Sequence, residues 1–145
     1  MQYYVPQGKR WLFYASAAVD TLTRPNPAET LLLGGDNGLR GYPLRYQSGQ
    51  RRALFTLEER VFTDPYIWRL FRVGGAVFFD AGRAWGGNAM NSVNPGWLSN
   101  AGLGLRIVSV RAAFSNVLHV DIAFPLNATA DIRKVQFLVK TKASF

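Results

Sequence analysis

The chain has 145 residues, enough for one domain, and 48% of them are apolar, which excludes disorder caused by low hydrophobicity. With no cysteine and one histidine, a disulfide framework, a thiolate metal site and a multi-histidine metal site within one chain are excluded. A formal net charge of +8 is typical of a chain that meets nucleic acid or anionic lipid, or that has a solvated basic surface. No apolar run approaches the ~18 residues of a transmembrane helix.

A period of two dominates the apolar pattern, whereas the helical period is nearly absent. In the first segment Trp11, Phe13 and Val19 fall on one face, and Tyr14 and Asp20 fall on the other. Turn-rich joins separate such segments, so we predict an all-β fold of six antiparallel strands, with a seventh if residues 2–5 pair. The predicted strands lie at about residues 11–20, 53–61, 69–85, 98–107 with an extension over 108–114, 118–124 and 135–145.

Two architectures bury this pattern, and they differ in which face meets water. A soluble sandwich or barrel turns its apolar face inward, whereas a transmembrane barrel turns it toward lipid and keeps charges in a polar lumen. Several predicted strands reach the ~10 residues of a tilted membrane strand, against ~5–6 in soluble sheets. A transmembrane barrel is favoured, because aromatic residues near segment ends also suit interfacial girdles. These aromatics are Trp11, Trp68, Trp85, Trp97 and Phe145.

Four motifs follow one another with strand spacing. They are GGDNGLRGY at 34–42, TLEE at 56–59, FFDAG at 78–82, and a last strand that ends in phenylalanine. In this order they resemble the C-terminal part of the BamA-type outer-membrane barrels. That superfamily, the bacterial surface antigen family, includes the two-partner secretion transporters and barrels fused to patatin-like domains. The resemblance covers about residues 11–145, and it implies a single C-terminal barrel segment, residues 1–145, without a periplasmic domain.

The resemblance implies a latch inside the lumen. In the family, an arginine at the tip of a long extracellular loop folds back and pairs with carboxylates on the barrel wall, which here would be Arg40 with Glu58 and Asp80. Strand parity supports this independently, because both acids fall on the face opposite the apolar one. Glu59 has the opposite parity and is expected near the membrane edge, and His119 is assigned no role. The residues that support the motif are Gly38, Gly41, Tyr42, Phe78 and Gly82.

The C-terminus resembles the signature by which outer-membrane barrels are delivered for assembly. Its residues are Phe137, Val139 and Phe145, in an alternating apolar strand. The alternative is a plain edge strand that ends in phenylalanine.

The resemblance implies a non-enzymatic barrel of the bacterial outer membrane that assembles or translocates proteins. Its expected partners are outer-membrane lipid, including lipopolysaccharide, and a client polypeptide, with no nucleic acid and no cofactor. Because about eight strands make the smallest membrane barrel, six or seven strands predict part of a larger barrel or closure by a homo-oligomer through open sheet edges. The alternatives are a passive membrane anchor or pore, and a soluble basic β-barrel that binds nucleic acid.

Overall fold

The computed structural model describes residues 1–23, 29–67, 71–86, 96–109, 117–127 and 129–142. The fold is all-β with antiparallel strands, as predicted, apart from a 3-10 turn at Gly35–Asn37. Among these residues no helix is long and apolar enough to cross a membrane. The strands are β1 (Gln2–Pro6), β2 (Trp11–Thr21), β3 (Leu31–Leu33), β4 (Gln47–Gly49), β5 (Arg51–Ile67), β6 (Phe71–Trp85), β7 (Leu98–Ser109), β8 (Val117–Pro125) and β9 (Gln136–Lys142).

Seven strands form one sheet in the order β1-β2-β5-β6-β7-β8-β9, and each is antiparallel to its neighbours. The segment near the N-terminus does pair, so the count reaches seven. Within the described residues β1 and β9 do not pair with each other, and the sheet is open. A second, two-stranded sheet of β3 and β4 lies in the connection between β2 and β5. It was not predicted, because three residues are too few to show an alternation.

Strand β5 is longer than its alternation predicted, and this changes the position of Glu59. The strand continues past Val61 to Ile67, with an irregular register between Phe62 and Tyr66. Glu59 therefore lies midway along β5 and not near the end of that strand.

The connections differ at the two ends of the sheet. At one end, which we call the short-turn end, few residues separate β1 from β2, β5 from β6 and β7 from β8 in the sequence; at the other, the long-loop end, more residues separate β2 from β5, β6 from β7 and β8 from β9. Both edge strands, β1 and β9, run from the long-loop end to the short-turn end, because neighbouring strands alternate in direction. An all-antiparallel closed barrel therefore requires an odd number of further strands. Two copies in the same orientation would instead meet along parallel strands.

The two faces of the sheet have opposite character. The inner face carries buried charged and polar side chains, whereas large apolar side chains are exposed on the outer face. This is the reverse of a water-soluble barrel, whose inner face is apolar. On the outer face lie Val77, Phe79, Leu103, Leu105, Phe137 and Val139; on the inner face lie Glu58, Arg60, Asp80, Asn100, Arg106 and Asp121.

Residues 29–50, which we call the lid, fold over the inner face at the long-loop end. Leu33, Leu39 and Tyr42 of the lid are buried, and they form one apolar cluster with Ala84, Leu98 and Ile132. The seven-stranded sheet, which we call the wall, also contacts the lid through Gln47 of β4. The Gln47 Nε2 donates to the carbonyl of Gly96, just before β7 (2.9 Å), and its Oε1 accepts from the amide of Ala84 in β6 (2.9 Å). The stretch 34–42 is thus an ordered part of the fold.

Candidate functional site

The tip of the lid is a hydrogen-bonded turn that presents Arg40 to the inner face. The 3-10 turn ends at Gly38, whose φ of 113° lies in the left-handed region that glycine adopts without a steric penalty. The Gly35 amide then donates to the Leu39 carbonyl (2.8 Å), and the Tyr42 amide donates to the same carbonyl (3.2 Å). Because two bonds converge on one carbonyl, the residue that follows it is fixed in direction.

Gly41 and Gly82 allow close approach between the lid and the wall. A Cβ atom on Gly41 would lie 2.5 Å from the Asn100 Cβ, which is closer than two such atoms can come. A Cβ atom on Gly82 would lie 3.0 Å from the Ala53 carbonyl oxygen and 3.2 Å from a methyl group of Leu33. Gly38 serves both the turn and a close contact, since a Cβ atom on it would lie 2.1 Å from a methyl group of Leu54.

Arg40 holds Asp80 with two parallel hydrogen bonds. Its Nε lies 2.9 Å from Oδ2 and its Nη2 lies 2.9 Å from Oδ1, which is the bidentate geometry that suits a guanidinium and a carboxylate. Asn100 donates a further bond to Oδ2 (2.9 Å), and the Arg40 Cζ lies 3.4 Å from the centre of the Phe78 ring. Asp80 is completely buried, so its charge is neutralised by protein groups alone.

The third nitrogen of Arg40 reaches two more carboxylates. Nη1 lies 2.7 Å from Glu58 Oε2 and 3.3 Å from Asp121 Oδ2. The structure therefore brings together the three residues that the sequence assigned to the latch, and it adds Asp121 of β8, which the sequence analysis missed. The available signal was parity, since Asp121 shares the inner face with His119.

Two further arginines complete the cluster from the wall. Glu58 Oε1 accepts from Arg106 Nη2 (2.7 Å) and Arg60 Nε (2.8 Å), and Arg106 Nη1 also donates to Asp121 Oδ1. Three arginines thus face three carboxylates. This balance matters because breaking one buried pair leaves an uncompensated charge, at a cost of about 3–5 kcal/mol.

The electrostatic environment keeps Arg40 charged. Burial alone would lower the pKa of its guanidinium, but the hydrogen bonds and charge of Asp80, with the charges of Glu58 and Asp121, raise that pKa above its ordinary value. Every acid of the cluster is paired with an arginine, so the cluster is suited to holding the lid. Among the described residues no group of three or more acidic or histidine side chains could hold a metal ion.

Tyr42 fixes the lid beyond the tip. Its hydroxyl donates to the Ser99 carbonyl (3.1 Å) and accepts from the Asn127 amide (3.3 Å). Burial raises the pKa of this hydroxyl above its ordinary value, although the two backbone hydrogen bonds act in the opposite direction. The lid is thereby tied to the start of β7 and to the connection that follows β8.

The C-terminal residues are only partly within the structure. Phe137 and Val139 lie on the outer face of the edge strand β9, with 74% and 65% of their surface exposed. Phe145, and Trp68, which the sequence pattern predicts to belong to an aromatic girdle, lie outside the described residues.

The chain matches no family model, no curated protein and no solved structure. The family resemblance therefore stays a prediction that rests on the motif residues, and a function is argued from the geometry.

Proposed function

We propose that the chain forms part of an outer-membrane β-barrel of the assembly or translocation type, which handles polypeptide insertion or secretion. The observation that carries this proposal is the position of Arg40. A residue of the longest connection lies against the barrel wall, where Glu58, Asp80 and Asp121 from three different strands hold it.

The membrane setting is supported by the faces and the lengths of the strands. Strands β2, β5, β6 and β7 have 11, 17, 15 and 12 residues, against the ~9–11 that a tilted membrane strand needs. Short turns at one end and long loops at the other are typical of outer-membrane barrels. Arg51, on the outer face at the long-loop end, would meet anionic head groups such as those of lipopolysaccharide.

The latch would act by holding the lid inside the lumen. One guanidinium braces β5, β6 and β8, so the lid cannot leave without separating three buried ion pairs. Asp121 is on the strand next to the edge strand β9, which connects the latch to the edge where an incoming strand would add by backbone pairing. In this mechanism a client polypeptide gains access only when the lid and the edge rearrange together.

Closure of the barrel follows from strand direction. An odd number of further strands, beginning beside β1 and ending beside β9, would close it with antiparallel pairing throughout. A homo-oligomer of identically oriented copies needs a parallel seam, so additional strands from another part of the barrel are the preferred partner.

Extraction and gel migration test the proposal first. We expect the chain to require detergent and, once the further strands beside β1 and β9 close it, to migrate differently before and after boiling, as closed membrane barrels do. In planar bilayers Arg40→Ala should raise the conductance, because the lid is released, whereas Arg133→Ala, an exposed arginine on another loop of the same end, should not. Unchanged conductance in a detergent-dependent barrel would indicate a passive anchor. A soluble, strand-rich monomer would overturn the membrane setting.

A further inference from the structure

Glu59 interrupts the apolar outer face of the sheet. In its cross-strand row the neighbours are Phe13, Val77 and Leu103, all apolar. Glu59 also lies midway between the ends of β5, so in the proposed barrel its carboxyl would sit near the middle of the hydrocarbon layer. An ionisable residue at that depth is costly and marks a functional site by default.

One oxygen of the Glu59 carboxyl lacks a hydrogen-bond donor among the described residues. Its Oε1 is buried, and no described residue donates a hydrogen bond to it. In the rows above and below, the outer-face residues on β5 and β6 are Leu57 and Phe79, then Val61 and Gly75, none of which is basic. Lipid cannot supply the donor either, because acyl chains have none and head groups lie at the edges of the layer.

A recess of about 310 Å³ adjoins this carboxyl, between Trp11, Val61, Gly75 and Leu103. The fold does not require glycine at position 75, because a Cβ atom there would meet nothing within 4 Å. By contrast, a Cβ atom on the neighbouring Gly74 would lie 2.7 Å from the Val61 carbonyl oxygen. Glycine weakens a strand interior and often marks a site where another chain approaches closely. The open space at Gly75 is therefore suited to contact with another chain.

From this geometry we propose that the outer face around Glu59 and Gly75 binds a membrane-spanning segment of another protein, which presents a lysine or arginine at mid-depth. A cation is the required chemistry, because a desolvated carboxylate is stabilised by an opposite charge that also donates hydrogen bonds. A second copy of this chain does not fit as well, since its outer face around the same position would offer Glu59 again. The inference rests on the proposed membrane setting.

A synthetic helix of leucines with one central lysine tests the inference. The full chain is placed in phosphatidylcholine vesicles, and binding is measured by energy transfer between a dye on the chain and a dye on the helix. We expect the central-lysine helix to bind about tenfold more tightly than an all-leucine helix or one with its lysine at the terminus. Glu59→Gln should remove this difference, and so should Gly75→Leu, which fills the recess and keeps the charge.

A relocated carboxyl provides the matched control. In Glu59→Leu with Phe124→Glu, the acid moves to another exposed outer-face position, and the lysine-dependent difference should stay absent because the recess is no longer beside the acid. Equal binding of all helices to the unmodified chain would overturn the inference. Energy transfer between two copies of the chain would also overturn it if Gly75→Leu abolishes that transfer, because the recess would then bind a second copy. If the chain still needs detergent and changes mobility on heating, the proposed membrane setting stands even though this inference fails. A soluble chain would overturn both the membrane setting and this inference.

Discussion

Two regions hold the same lid, and they do so by different physics. The tip is held by the charged cluster around Arg40, where each contact has a defined direction and length. The rest of the lid is held by the apolar cluster of Leu33, Leu39 and Tyr42 against the wall, where burial matters more than direction.

The charged cluster fixes where the tip of the lid lies, whereas the apolar cluster holds the lid against the sheet. A bidentate pair is lost when the partners shift by an ångström, so the cluster around Arg40 specifies one location for the tip. Apolar contacts tolerate small shifts and contribute roughly in proportion to the area removed from water. We infer that the apolar cluster keeps the lid against the inner face of the sheet, whereas the charged cluster decides whether the lid is in its latched position.

The largest expected effect comes from removing the cation of the latch. Arg40→Ala leaves Asp80 buried without its bidentate partner, and we expect the free energy of unfolding to fall by about 3–5 kcal/mol. Urea titration of the chain in detergent measures this. The double variant Arg40→Met with Asp80→Asn should be more stable than Arg40→Ala, because the orphaned charge is gone. If the loss of stability in the double variant equals the sum of the losses in Arg40→Met and Asp80→Asn, the pair is not coupled.

In the apolar region, Leu33→Ala should have the next largest effect. Leu33 is completely buried, and deletion of its side chain leaves a cavity, for a loss of about 2–4 kcal/mol. Leu44→Ala in the same lid is the control, since Leu44 is 63% exposed and should change stability by less than about 0.5 kcal/mol. Equal losses from the two variants would mean that the cluster does not hold the lid.

Gly41→Ala tests the boundary between the two regions. The added methyl group would overlap Asn100, whose own amide supports Asp80, so the tip must move away from the wall. We expect a loss of about 1–3 kcal/mol together with a rise in conductance, because overpacking shifts the backbone. Gly75→Ala is the matched control, as its methyl group meets open space. If Gly41→Ala changed neither the stability nor the conductance, the lid would approach Asn100 less closely than the structure shows.

Alternation predicted the face of the sheet on which each residue lies, but not its position along the strands relative to residues of the neighbouring strands. The alternation of apolar and polar residues assigns Glu58 and Asp80 to the inner face. A register shift of one residue would move every side chain of a strand to the opposite face, so the sequence encodes the face strongly. A shift by two residues preserves the face, and the pattern is therefore silent about cross-strand rows. This is why the pattern did not locate Glu59 along β5 and why Asp121 was not recognised as a neighbour of Arg40.

The lid was the other gap in prediction. Strands β3 and β4 are three residues each, and they form because the lid folds against β6 and not because their own sequences alternate. The signal for an ordered lid was the glycine spacing around Arg40. It could predict a turn, but the contact of Gly41 with Asn100 depends on tertiary packing that no local pattern records.

The smallest expected effect concerns Tyr42, where the two regions meet. Tyr42→Phe keeps the ring in the apolar cluster but removes the hydroxyl that bonds Ser99 and Asn127, so stability at neutral pH should fall by about 1 kcal/mol. The folded chain raises the pKa of this hydroxyl above its ordinary value of 10.0, so its contribution is complete below that pH and is lost as the pH rises through the raised pKa. The unmodified chain should therefore lose stability relative to the phenylalanine variant above pH 10.0. Unfolding midpoints measured for both chains across that range would reveal the narrowing gap, and a constant gap would mean that the hydroxyl is not buried in the folded lid.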